Sequence, residues 1–267
     1  MAVYREDSDL TFLKKCSNED LELLVSILTI DPNDNTSRFT ETLTSDTSYK
    51  RYYPNHQLYW KSIAAELQTF GANSGMTLLR QGKGVCYREI LIDVCDKTKI
   101  NLNEPPSFFI EKIENVLLNS LLKQSLENME QHELKKLAAE LGHINLHLPP
   151  AVLMLSIQKS IMSNPLIWNS LIFSMLGNLG FKIGNIMATM FTIIPRLHPI
   201  LAALTGPIGL AISNLWLLSD IAGPAYRVTI PACLYVAVLR KKHNDSNIID
   251  QLLRNGGNIK KFMGKSF

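Results

Sequence analysis

Three residues at helical spacing, Glu140, His143 and His147, carry side chains that could hold a metal ion. Steps of three and four would project them from one helix face toward a common point. Gly142 interrupts that helix, and Pro149 and Pro150 follow. The same histidines therefore read as caps of a helix end, where a cation suits the dipole. Gly82, Lys83 and Gly84 open like a phosphate loop, but GxxxxGK followed by Ser or Thr is missing, so a flexible turn is expected. There is no GxSxG elbow, and Cys16, Cys86, Cys95 and Cys233 form no CxxC pair. These patterns lead us to expect a protein that is not an enzyme and uses no metal or cofactor.

A second group of residues stands out because charge is scarce around it. Residues 151–239 carry five formally charged side chains, Lys159, Lys182, Arg196, Asp220 and Arg227, whereas the other 178 residues carry forty-six. An unpaired charge in apolar surroundings is costly, so Asp220 and Arg227 are expected to meet across the bend that Gly223 and Pro224 permit. Such a pair could fix one turn, or it could gate insertion or partner contact. Tyr226 and Pro231 complete this candidate motif.

The elements that must position these residues read as helices throughout. Ser8 offers a helix start before Leu10, Phe12 and Leu13, and Ser17 with Asp20 reads as a capping box before Leu21, Leu24, Val25 and Leu28. Asp31, Pro32 and Asn33 end that helix. Further stripes run through Leu58, Ile63, Leu67 and Phe70, then Met76 to Leu79, then Ile90, Leu91 and Val94. A long helix starts at Pro105 and runs through Ile113, Val116, Leu117 and Leu121, continuing or restarting from His132 to Leu141. No alternating strand pattern appears. The fold expected is all-α, with an acidic helical domain at 1–150, a strongly apolar helical region at 151–239 and a basic tail at 240–267.

Within the apolar region, residues 160–181 and 197–219 run for 22 and 23 positions without formal charge, long enough to cross a bilayer. Asn164, Pro165, Asn169 and Asn178 dilute the first run; His198, Pro199, Pro207 and Asn214 dilute the second. Gly180 with Gly184, Ala202 with Gly206 and Gly209 with Ser213 have the small-xxx-small spacing of closely packed helices. Two readings stay open: contact with membrane, or burial inside the fold or an oligomer.

Charge is distributed unevenly, at −5 over residues 1–150, +3 over 151–239 and +5 over 240–267. Arg240, Lys241 and Lys242 form a basic cluster suited to anionic lipid headgroups on the cytoplasmic side. The tail's aromatics are Phe262 and Phe267, too few to interleave with its cations, so nucleic acid is not an expected partner. The amino terminus has early acids and no apolar signal core, so no secretory signal is read there, and with the apolar region and basic cluster the expected location is the cytoplasm, at the inner membrane.

One resemblance extends over most of the chain. Gly223, Pro224, Ala225, Tyr226, Arg227, Val228, Thr229, Ile230, Pro231 and Ala232, followed by Val238, Leu239 and Arg240, resemble the carboxy-terminal signature of the uncharacterised bacterial YaaW family. Asp7 to Leu10, Phe12 and Leu13, Cys16 and Ser17, Trp60, Ile63 and Ala64, Glu66 to Gln68, Phe70 and Gly71, Tyr87 and Arg88, and Ile90 to Val94 are similar in order. That family is also remotely similar to the ubiquinol–cytochrome c chaperone domain, an all-α module of membrane-protein assembly. The resemblance implies a bacterial, intracellular, helical protein and supplies no catalytic residues. We therefore expect a membrane-associating or membrane-inserting protein whose front domain binds or senses an unidentified protein partner. The alternative is a soluble chaperone-like or assembly-factor module with its apolar region buried, possible homo-oligomerisation included.

Overall fold

A computed structural model describes residues 2–72, 84–102, 109–143, 145–183 and 225–254, the side chains of 246–254 aside. Its secondary structure is helical, and no strand forms among the described residues; Ile30 and Ser37 make an isolated bridge. The helices are α1 (Asn18–Thr29), α2 (Thr47–Tyr52), α3 (Trp60–Gly71), α4 (Tyr87–Lys97) and α5 (Ile110–Glu127). They continue with α6 (Gln131–Glu140), α7 (Pro150–Ser163), α8 (Pro165–Asn178) and α9 (Tyr226–Arg254).

Local chemistry explains most boundaries. Ser17 accepts from the amide of Asp20 at 3.2 Å and starts α1, as its spacing implies. Ser8 does not cap the expected helix: the segment forms a 3-10 turn at Thr11–Lys15 after Leu10, with no side-chain cap, and the Asp7 carboxylate accepts from the Asp9 amide ahead of it. Gly142 ends α6 at φ +83°, where a side chain would be strained. The Met76 to Leu79 helix and the Pro105 start lie outside the described residues.

Residues 160–181 do not make one long helix. Pro165 has no amide hydrogen to donate, and Asn164 accepts from Leu166 and Ile167 at 3.0 and 3.3 Å, so α7 stops and α8 begins. Each helix has 14 residues, roughly 21 Å at 1.5 Å per residue, against about 30 Å of hydrocarbon. No helix among the described residues is long and apolar enough to cross a membrane. The expected strongly apolar helical region thus has no spanning helix at 160–181, and residues 197–219 lie outside the described part. Gly180, expected to pack against a helix with Gly184, instead ends α8 at φ +89°, with the Pro32 carbonyl 2.8 Å from where a Cβ would sit. Gly184 and the other two small-residue pairs lie outside the described residues.

The apolar rear is packed into the front. α9 contacts α1, α3, α4, α5 and α8, and every residue of its stretch from Val228 to Leu239 is buried. A single cluster of buried side chains runs from Leu10 to Leu239. The change at Pro149 and Pro150 is thus one of composition; the core continues across it.

Candidate functional site

α5 presents its apolar stripe, Ile110, Ile113, Leu117 and Leu121, to the core, and Glu114 lies on that same face only 3 % exposed. A carboxylate held there must be paired. Arg240 of α9 meets it: Nε donates to both Glu114 oxygens at 3.0 Å, and Nη2 donates to the Asp9 carbonyl at 2.6 Å. The guanidinium lies 4.5 Å from the centre of the Phe12 ring. Tyr87, the first residue of α4, donates its hydroxyl to Glu114 Oε1 at 2.9 Å.

The polar chain continues from the other end of Tyr87. Its amide donates to Asp7 Oδ2 at 2.6 Å, and Gln68 Nε2 donates to the same oxygen at 3.3 Å. Gln68 also exchanges hydrogen bonds with the Arg5 backbone, both at 2.9 Å. A buried line of polar groups therefore ties the amino-terminal segment to α3, α4, α5 and α9. Burial pushes the Glu114 carboxyl up, against the pull of Arg240 and the two side-chain hydrogen bonds. For Arg240 burial works downward, but Glu114 and Tyr87 outweigh it and leave the guanidinium above its ordinary value. Tyr87 is raised by burial and then by Glu114, so its hydroxyl stays protonated as a donor.

Above this ion pair opens a cleft of about 240 Å³ between α5, α8 and α9. Glu111 and Asn115 line it from α5, Trp168 from α8, and Lys241, Asn244 and Asp245 from α9. Burial lowers the Lys241 ammonium while Asp245 opposes the shift. The cleft thus combines hydrogen-bonding groups of both signs with an apolar wall.

The expected surface cluster at Arg240, Lys241 and Lys242 is not one patch. Arg240 is 5 % exposed and committed to Glu114, which removes its guanidinium from any surface cluster. Lys242 pairs with Asp20 at 2.7 Å. Asp220, Gly223 and Pro224 lie outside the described residues, so the Asp220 and Arg227 pairing is not seen. Tyr226 sits beside Asp93 and under Lys97, whose ammonium is 5.3 Å from its ring centre; burial and then Asp93 push its hydroxyl up to about 12. Pro231 lies inside α9, where it cannot donate to the Arg227 carbonyl.

His143 follows the end of α6 and pairs through Nε2 with the Ser160 hydroxyl at 3.1 Å, joining α6 to α7. His147 is exposed on a turn. Among the described residues no three His, Cys, Asp or Glu side chains gather as metal ligands. All four thiols are raised by burial, Cys16 and Cys95 to about 12, so they remain protonated near neutrality. Gly82 and Lys83 lie outside the described residues; at Gly84 an added Cβ would meet the Gln68 backbone carbonyl.

Sequence reasoning missed the role of Glu114. Its signal was available, since Glu114 falls one position after Ile113 and three before Leu117, on the face that carries the apolar stripe. Asp7, Gln68 and Tyr87 stand in the sequence only as points of resemblance and Arg240 as part of the expected basic cluster, and the fold brings all four to one network with Glu114.

Comparison with known proteins places the chain. A UPF0174 protein of Helicobacter pylori is 38 % identical over 255 residues, covering 91 % of this chain and 95 % of that protein. The chain belongs to the UPF0174 family. Another UPF0174 protein, YaaW of Escherichia coli, is 31 % identical over 252 residues, covering 89 % of this chain and 95 % of that relative. Residues 4–39 match the model described as Domain of unknown function (DUF3944). No solved structure matches. The UPF0174 matches bear out the YaaW resemblance, but they do not show the remote likeness to the ubiquinol–cytochrome c chaperone domain.

Proposed function

We propose that this UPF0174 protein is a non-enzymatic, cytoplasmic binding module that receives a protein partner in the cleft between α5, α8 and α9. The observation that carries this reading is the shared core: α8 and the apolar part of α9 pack against the front helices, so these rear segments serve the fold itself. Recognition then falls to the mixed-charge cleft, whose floor is fixed by the Glu114–Arg240 pair. Protonated thiols and a His143–Ser160 pair outside the cleft support a non-catalytic role. A photo-crosslinking residue at Asn115 in the full chain, in cells, should give a discrete adduct that the same probe at exposed Lys136 does not give. Equal labelling from both positions would remove the cleft from the proposal.

A second reading, insertion into the inner membrane, is favoured by the 23-residue run without formal charge at 197–219. Alkaline carbonate separates the two. The binding module is released into the supernatant; an inserted chain stays with the membrane pellet.

A further inference from the structure

The corner where α2 meets α3 gathers cations and aromatic rings in an otherwise acidic part of the chain. Residues 47–65 contain Lys50, Arg51 and Lys61 and no acid, whereas residues 1–150 as a whole carry −5. Lys50, Arg51 and Lys61 are exposed, Tyr52 and Trp60 are half-buried, and Tyr53 and Leu58 are 58 % and 62 % exposed. Asp46, at the edge of the corner, is turned to internal work: it caps α2 and accepts from the Ser62 hydroxyl at 3.0 Å. We propose that the α2–α3 corner is a peripheral docking surface for an anionic lipid bilayer.

Both halves of a bilayer interface are met there. Lys and Arg attract anionic headgroups, and Tyr and Trp suit the boundary where one end of a side chain is wet and the other apolar. Leu58 supplies an aliphatic group able to enter the acyl boundary. Single-stranded nucleic acid fits less well, because it needs open ring faces for stacking. Here Arg51 lies 5.3 Å from the Tyr52 ring centre, and Lys61 lies 5.8 and 5.9 Å from those of Tyr4 and Trp60, so cations already cover those faces. A leucine also has no face on which a base can stack.

The full chain is floated with vesicles of phosphatidylcholine containing about one third phosphatidylglycerol, and with pure phosphatidylcholine. Binding should require the anionic lipid and fall with added salt. The combined substitution Lys50→Ala, Arg51→Ala and Lys61→Ala should lower the partition coefficient by about a hundredfold, at about one headgroup-attracting charge each. Leu58→Ser should lower it several-fold without changing net charge. Removing Lys123, Lys135 and Lys136 together should have a much smaller effect, and melting curves should confirm that each variant is folded. Unchanged partition in the corner variants, or equal binding to neutral vesicles, overturns the proposal. So does an equal loss in the control. Binding of an oligothymidylate that depends on Lys50, Arg51 and Lys61, without vesicle binding, would assign the corner to nucleic acid instead.

Discussion

Replacing Arg240 with Met should be among the most damaging single changes available outside the apolar core. The substitution leaves Glu114, 3 % exposed, with the Tyr87 hydroxyl as its remaining side-chain partner. Removing one member of a buried ion pair typically costs about 3–5 kcal/mol. For a chain of 267 residues that is a fall of roughly 5–9 °C in Tm. Pairing Arg240→Met with Glu114→Leu replaces both charges by side chains of similar size. The double variant should recover most of the loss, keeping about 1–3 kcal/mol because the Asp9 carbonyl loses its donor. Urea unfolding followed by circular dichroism measures all four corners of this cycle. The single variant also carries a pH signature. Losing the guanidinium removes the main downward pull on a carboxyl already raised by burial. A raised folded-state pKa favours the protonated form, so its stabilisation is complete below the ordinary carboxyl range and is lost as pH rises through the folded value. The deficit of Arg240→Met should therefore be smaller near pH 4.5 than at pH 8. A single-variant cost below about 1 kcal/mol, or a double variant as unstable as the two singles added, would refute the buried-pair account.

Four further outcomes follow from other contacts. Glu66, 1 % exposed and raised by burial, accepts from the Thr42 amide and hydroxyl, both at 2.8 Å. The same sign argument applies, so Glu66→Gln should gain in melting temperature over the parent as pH rises from 4 to 8, and a gap that narrows would count against it. Asn164→Ala removes the cap of α8 and should cost about 1 kcal/mol in urea unfolding. Gly84→Ala forces a Cβ onto the Gln68 backbone carbonyl, and a loss of about 1–3 kcal/mol is expected from overpacking. Iodoacetamide at pH 7.5 should modify half-buried Cys86 ahead of buried Cys16, Cys95 and Cys233; equal rates in the native protein would contradict the burial.

Helical periodicity made much of this fold legible. Leu21, Leu24 and Leu28, Ile63 and Leu67, and Ile90, Leu91 and Val94 are all buried where their spacing places them. Spacing alone was less informative at two positions. Val116 falls on the stripe of α5 by spacing yet is 37 % exposed, and Leu58 precedes α3 on a 3-10 turn that turns it outward. Charge-free run length misled at 160–181 because it counts charge alone, while the Asn164 side chain caps backbone amides and Pro165 lacks one to donate. The polar network was illegible for a different reason. Glu114 and Arg240 are 126 positions apart, and no local pattern states which of many charges will be neighbours.

The same pairings change the meaning of the charge asymmetry. An acidic front and a basic rear look, as a sequence, like a protein with cations to offer to a negative surface. In the fold the two signs meet across α9: Arg240 is taken by Glu114 of α5 and Lys242 by Asp20 of α1. The first of these pairs is buried, so its charges are screened little by salt and are not available to an outside partner. Among the described residues, what remains for electrostatic attraction is cations without a buried acid beside them. Lys50, Arg51 and Lys61 meet that condition on an exposed corner of the front, in the part whose net charge argued against it. Local placement, rather than the sign of a segment, therefore decides which face of this protein can approach an anionic surface.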